Sequence, residues 1–390
     1  MEENLQEAIE LVNNSTDAYC HYITPNDIGI TGGHQCGFYF PHWAEPMFYG
    51  RMMEKGSNYD VHLDIRWQKD FVTKSRAVYY GKGTRNENRI TNFGRGFEFM
   101  QDCYLGSLQI VTKNEGGEFD IYILTNQDNI EQFIATFNLD ITVRNQQINK
   151  NDKAVSSDEK INKSIISLVN GIDCFPETKN MAQYARNIVN EIYGYNKSAI
   201  QKSCDSIILK WIDAEYKLFS CIEEKVYKDV YTQPFEDCSK LIEFANKILN
   251  RRKSRAGKSL EHHLATIFDS FELKYESQVI TEDNKKPDFI FPDGESYHNF
   301  EFPADKLYML GAKTTCKDRW RQVLNEANRI PDKHLFTLQQ GVSKNQLKEM
   351  ADEHLTLVVP KDNITAFHPD FRDNILDLNT FIQMVKEKQA

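Results

Sequence analysis

Hydrophobic and polar positions alternate along residues 60–67: Val61, Leu63, Ile65 and Trp67 fall on one side, Asp60, His62, Asp64 and Arg66 on the other. A period of two marks a strand buried on one face. Shorter β-rich runs recur at 36–40, 77–80, 108–112 and 119–124, with turns rich in Gly, Asn and Asp between them. Several short strands with turn signals predict a small barrel. Leu5, Ile9 and Val12 predict an amphipathic helix ahead of it. Gly81-Lys82-Gly83 lacks the rest of a nucleotide fingerprint and reads as a hairpin turn. From 143 to 163 the chain turns polar and loses its aromatic residues, the mark of a linker. Helical periodicity follows to about residue 272. Strands at 288–291, 308–313, 334–338 and 355–359 then alternate with helices at 317–329 and 344–353. That rhythm predicts a mixed sheet flanked by helices. The expected organisation is a first domain at 1–150, a linker at 151–174 and a second domain at 175–390.

A chain of 390 residues, 12% aromatic and 27% charged, can bury a core in each of two domains and is not disordered. No apolar run reaches spanning length, and the acidic start Met1-Glu2-Glu3-Asn4 excludes a signal peptide, so a soluble cytoplasmic protein is expected. Eight cysteines without CxxC pairs or histidines at ligand spacing support neither a disulfide frame nor a zinc site. The net charge of −10 disfavours DNA only if charge is spread evenly, and it is not. Residues 244–258 hold Lys247, Arg251, Arg252, Lys253, Arg255 and Lys258 with no acid, and 76–95 hold five basic residues against Glu87. Such stripes serve phosphate contacts or form solvated helix faces.

The candidate chemistry lies in the last third. Asp288 follows Pro287 and opens the apolar run Phe289-Ile290-Phe291, and Lys313 closes the next strand. An acid and a lysine at the ends of adjacent strands are what metal-dependent phosphodiester hydrolysis requires. One carboxylate holds a divalent ion, the ammonium steadies or deprotonates the attacking water, and a second carboxylate completes the metal shell. In the commonest D/E-x-K arrangement the second acid lies two residues before the lysine, where this chain has Gly311. On the predicted helix, Trp320, Val323, Leu324, Ala327 and Ile330 form an apolar stripe, and Arg319, Gln322 and Glu326 lie along another face. Glu326 can then replace the missing acid, and Asp288 and Glu326 would jointly hold Mg²⁺. The same spacing also suits an exposed helix glutamate. Glu261, behind the basic stripe, would either orient a metal-bound water or favour the start of a helix.

Three segments, 251–261, 284–289 and 313–326, resemble the catalytic domain of the EcoRII-like type II (type IIE) restriction endonucleases. Thr31-Gly32-Gly33-His34-Gln35 and Thr84-Arg85-Asn86-Glu87-Asn88-Arg89 resemble the effector domain of that family. The resemblance implies a B3-like DNA-binding pseudobarrel followed by a PD-(D/E)xK nuclease fold, with Asp288, Lys313 and the displaced Glu326 as catalytic residues. It implies a homodimer that cuts double-stranded DNA at CCWGG before the first cytosine, activated by a second site bound at the first domain. A companion cytosine methyltransferase would protect host DNA. Lys317, Asp318 and Arg319 stand where the family reads its target. A basic-acidic-basic triplet suits adjacent G·C pairs, since Arg or Lys donates to guanine and an acid accepts from cytosine N4. Arg251, Arg252 and Arg255 would contact phosphates. In the effector domain Arg85, Asn86, Glu87, Asn88 and Arg89 form a second array, joined by His34, Gln35 and Tyr39; the family has a lysine where Asn88 stands. Two alternatives stay open: a nuclease of this fold with another or methylation-dependent specificity, and a DNA-binding regulator with an inactive nuclease domain.

Overall fold

The first unit begins with α1 (Leu5–Asn13), β1 (Asp17–Tyr22), β2 (Phe38–Phe40) and α2 (Glu45–Tyr49). The strands β3 (Tyr59–Trp67), β4 (Phe71–Tyr80), β5 (Glu87–Thr91), β6 (Leu108–Lys113) and β7 (Phe119–Leu124) follow, then α3 (Gln127–Thr136) and β8 (Asn145–Gln147). The computed structural model describes residues 4–31, 36–140, 143–148, 159–317 and 319–389. The eight strands form one sheet in the order β2-β5-β4-β3-β7-β6-β1-β8, antiparallel except where β3 meets β7. Both faces of this sheet carry a core. Tyr19 of β1 joins the interior built on Phe38, Trp67 and Phe99. Its neighbours Ala18, Cys20 and Tyr22 pack on the opposite side with Val12 of α1 and Phe133 of α3.

That double burial explains which strands the sequence pattern revealed. β3 is half-exposed and alternates; β1 is buried at five of its six positions and shows no period of two. β5 is polar yet interior, so it too carries no hydrophobic signal. Gly81 lies in the connection between the antiparallel β4 and β5, where an added Cβ would stand 2.5 Å from the Ser57 carbonyl oxygen. Only glycine fits that approach.

In the second half, α4 (Glu159–Asn170), α5 (Thr178–Tyr193), α6 (Lys197–Tyr231) and α7 (Cys238–Phe271) precede a six-stranded sheet. Its elements are β9 (Glu276–Ser277), β10 (Phe289–Phe291), α8 (Gly294–His298), β11 (Tyr308–Lys313) and α9 (Trp320–Leu324). β12 (Lys333–Thr337), α10 (Lys344–Asp352), β13 (Leu355–Val359), β14 (Leu376–Asp377) and α11 (Leu378–Gln389) complete it. β9, β10 and β11 run antiparallel, and β11 to β14 run parallel. The expected mixed sheet with flanking helices is thus present. Among the described residues no helix is long and apolar enough to cross a membrane.

The chain divides into two compact units, 1–152 with 339–348 and 365–372, and the remainder. Two short returns of the C-terminal half therefore belong to the first unit, which no local pattern encodes. Of the segment expected as linker, 151–158 lie outside the described residues, and 159–170 fold into α4. Ile161, Ile165 and Val169, at spacings of four, are buried there. A narrow apolar stripe suffices for a helix that has something to pack on.

Helices α5, α6 and α7 are joined by a buried polar cluster. Ser259 Oγ donates to Glu215 Oε2 at 2.8 Å. His263 Nε2 lies 2.9 Å from the same oxygen, with both side chains fully buried, and Arg186 reaches His263 Nδ1 at 3.2 Å. Burial lowers the proton affinity of His263, and the Glu215 carboxylate opposes that loss. Removing one member of such a buried pair strands the other. Glu215→Ala is expected to destabilise the second unit by about 3–5 kcal/mol, read from urea unfolding; a loss within error would show that the cluster does not hold α7 in place.

Candidate active site

Asp288 is set by its neighbours on both sides. Phe289 and Phe291 of β10 pack edge-on against Phe268 of α7, with ring centroids 5.1 and 5.3 Å apart. The antiparallel pairing of Phe289 with Leu310 brings the end of β11 alongside. Asp288, just before β10, is nearly buried there. Its Oδ2 accepts from the Ala312 backbone N–H at 2.7 Å and from Lys313 Nζ at 3.0 Å, and its Oδ1 accepts from Gln278 Nε2 at 3.2 Å. Lys313 is therefore oriented by the acid and by its own strand.

Two more carboxylates feel this pair. Glu261 is pushed up to about 7 by burial and then by the Asp288 charge, with Lys313 opposing. Glu326 is also pushed up to about 7, by burial first, while Lys313 lowers and Asp288 raises it. Glu261 does not start a helix, as one expectation had it: α7 is continuous from Cys238 to Phe271, so the carboxylate sits mid-helix, two turns before Phe268. An N-terminal dipole is absent there.

Glu326 reaches the site by a different route from the predicted one. The expected helix over 317–329 shrinks to α9, Trp320–Leu324, and Glu326 lies in the turn beyond it. The stripe is otherwise as expected: Trp320, Val323, Ala327 and Ile330 are buried, with Leu324 half-buried. Ala327, three residues past the end of α9, takes a left-handed φ of +50°. Lys333, at the start of β12 and only 6% exposed, donates to the carbonyls of Ala327 at 3.2 Å and Ile330 at 2.8 Å. On the outer side, the Asn328 N–H donates to Glu282 Oε2 at 3.1 Å. The turn carrying Glu326 is thus clamped from both sides.

Gly311 explains why the acid is displaced. A Cβ built there would stand 3.1 Å from the Val323 side chain and 3.5 Å from Leu335. The face on which the commonest motif carries its acid is occupied by α9, and glycine makes the room for it.

The donor set fits a hard divalent cation. The Oε2 of Glu326 is buried and makes no hydrogen bond among the described residues. A buried carboxylate oxygen without a partner is costly unless a proton or a cation meets it. Among the described residues no group of three or more His, Cys, Asp or Glu could by itself hold a metal. Mg²⁺ is commonly bound by one or two carboxylates plus waters and substrate phosphate, so Asp288 and Glu326 are residues that could hold it.

Known proteins fall on both halves of the chain. A family model for the EcoRII C terminal matches residues 219–382, and one for the restriction endonuclease EcoRII, N-terminal, matches 12–148. The type II restriction enzyme EcoRII of Escherichia coli is 34% identical over 392 aligned residues, covering 96% of this chain and 95% of that protein. The chain belongs to the EcoRII family of type II restriction endonucleases. Metal-depleted Ecl18kI in complex with uncleaved, modified DNA aligns with 58% of this EcoRII-family chain and 83% of its own, at 18% identity and a TM-score of 0.46. The B3 domain of the UbaLAI restriction endonuclease with cognate DNA aligns with 30% of this chain and 76% of its own, at 19% identity and a TM-score of 0.21.

The expected DNA-reading residues of this EcoRII-family member divide sharply by exposure. Asp318, His34 and Gln35 lie outside the described residues. Lys317 is almost fully buried and Arg319 half-buried. Arg252 is tied to Glu223, with Nε 2.8 Å from Oε2. Arg251 and Arg255 stack on Phe175 and Phe219, at 4.1 and 5.0 Å from the ring centroids. In the first unit, Arg85 and Asn86 are exposed, Tyr39 and Glu87 half-buried. Asn88 and Arg89 are buried and hydrogen-bonded within the unit. Asn88 donates to the buried Glu45 at 2.9 Å, and Arg89 donates to the Gly37 carbonyl at 2.8 Å and to Glu87 at 3.3 Å. Gln278 and Lys333 escaped the sequence reading; only Lys333, a charge heading an apolar strand, left a signal.

The two raised carboxyls make a stability prediction for the metal-free protein. Each titrates ordinarily near 4.5 and near 7 in the fold, so the folded state binds the extra protons between those values. Their contribution is fully present below pH 4.5 and lost as pH rises through about 7. The melting temperature should therefore fall between pH 5 and 8 less steeply in Glu261→Gln/Glu326→Gln than in the unaltered chain, by calorimetry in a chelating buffer. Equal slopes would mean that the two carboxyls are not raised in the fold.

Proposed function

We propose that the chain is a Mg²⁺-dependent endonuclease that hydrolyses double-stranded DNA at CCWGG-like sites as a homodimer. The observation that carries this reading is the hydrogen-bonded Asp288–Lys313 pair at the ends of adjacent strands, with Glu261 and Glu326 electrostatically coupled to both. Asp288 and Glu326 would hold the cation, which when bound would offset negative charge at the scissile phosphate. Lys313 positions the attacking water and adds positive charge beside the phosphate. Attack in line on phosphorus leaves a 5′-phosphate and a 3′-hydroxyl. Glu261, close to its titration point at neutral pH, is placed to orient the water or take its proton. A two-fold symmetric target suits a two-fold symmetric dimer.

Target recognition through 317–319 rests on the family resemblance and on donor and acceptor chemistry. The EcoRII N-terminal match over 12–148 supports a second DNA site in the first unit that controls cleavage. A companion cytosine methyltransferase would protect the host genome.

A magnesium digest of plasmid DNA with its ends sequenced tests the chemistry and the target together. Cuts before the first cytosine of CCWGG are expected; random ends or none would refute the reading. Lys313→Ala should lower the cleavage rate by about 10²–10³-fold while leaving binding of the uncut site intact. Loss of binding in parallel would argue that Lys313 is structural. Control by the first unit has its own test. A chain starting at residue 159, where α4 begins, should cut single-site plasmids faster than the full chain. An unchanged or slower rate in a folded truncation would count against that control.

A further inference from the structure

A groove of about 1170 Å³ leaves the catalytic cluster along α7. One face of that helix lines it: Lys247, Arg251, Ser254, Lys258 and Glu261 follow at intervals of four, three, four and three, the spacing of a single helical ridge. The catalytic candidate Glu261 and the basic ridge therefore share one face and one channel. Gln278, which donates to Asp288, lines the same end, and Lys179 of α5 lines the groove as well.

The cations in this groove do two different things. Arg251 and Arg255 lie over aromatic rings and build its wall, and Arg252 turns away to Glu223. Lys247 and Lys258 are exposed and make no hydrogen bond or ion pair among the described residues. Such ammonium groups are mobile point charges, suited to phosphate and unsuited to reading a base edge bidentately.

We infer that this groove binds the sugar–phosphate backbone of duplex DNA flanking the scissile bond, with Lys247 at its far end. The inference rests on the endonuclease reading above and deepens it. From Glu261 to Lys247 the helix advances about 21 Å at 1.5 Å per residue. A DNA strand advances about 3.4 Å per nucleotide, so the groove covers about six nucleotides on one side of the cut. Contacts of this kind add affinity and fix register but carry no sequence information. The exposed lysines, not the conspicuous arginines, are then the phosphate-contacting groups of the stripe.

The test uses full-length protein and duplexes carrying one CCWGG site, with the flank on one side and then the other extended from two to twelve base pairs. Dissociation constants are measured in calcium buffer and cleavage in magnesium. Affinity should rise about tenfold as one flank lengthens to about six base pairs, then level off. Lys247→Glu should abolish that gain, lower the slope of log affinity against log salt by about 0.9, and leave affinity for the two-base-pair flank unchanged. In cleavage the same variant should raise KM on long flanks and spare kcat. Affinity independent of flank length, or a flank dependence that survives in Lys247→Glu, overturns the inference. The binding arm decides this even if no cleavage occurs. Absence of cleavage by the unaltered protein on every duplex would instead strike the hydrolase reading, so the two failures are distinct.

Discussion

The carboxylate of Asp288 is the fixed point of the catalytic half. One of its oxygens accepts both the Ala312 N–H and the Lys313 ammonium, which locks the ends of two antiparallel strands together and aims the lysine. A nearly buried carboxylate needs such donors, and once it has them its charge acts on everything nearby. Glu261 and Glu326 are both raised toward neutrality because burial and the Asp288 charge outweigh the lysines that oppose them, Lys313 and Lys258 at Glu261 and Lys313, Lys333 and Lys285 at Glu326. Two acids of the site are thus held near neutrality, chiefly by burial.

The displaced glutamate is an exchange between two positions. Gly311 has no side chain, so Val323 of α9 packs over the strand where an acid would otherwise stand. Glu326 stands in the turn after α9, where Ala327 takes a left-handed conformation. Lys333 anchors that turn through two backbone carbonyls. Burial lowers the proton affinity of that lysine, and the Glu282 and Glu326 charges oppose the loss. The clamp and the acid are therefore electrostatically coupled as well as adjacent.

Basic residues in this acidic protein are divided between architecture and surface. Arg89 and Arg252 satisfy interior acids and carbonyls, and Arg251 and Arg255 stack on aromatic rings. Guanidinium groups suit such sites, being planar and weakly hydrated. Lysines on the same helix stay in solvent, where a compact ammonium is best hydrated. A linear count of positive charge cannot separate these roles, because partners such as Glu223 and Phe175 are distant in the chain.

Local pattern alone determined the half-exposed strands, the β11 and β13 boundaries, the α1 stripe and the choice of Asp288 and Lys313. Each is expressed by neighbours within a few residues, through alternation, helical spacing or a strand end. Helical spacing proposed Glu326 as the displaced acid, and the EcoRII resemblance added the family and both domain types. Only the tertiary structure decided the rest. β1 and β5 are buried by packing that erases their period. The helix expected at 317–329 is the five-residue α9, with Glu326 in the turn beyond it. Arg89 and Asn88 went inward because Gly37 and Glu45 were there to meet them. Burial and the charge of a residue far along the chain are sums over three-dimensional neighbours. Hence the raised carboxyls, the Lys333 clamp and the division of arginines from lysines belong to the fold.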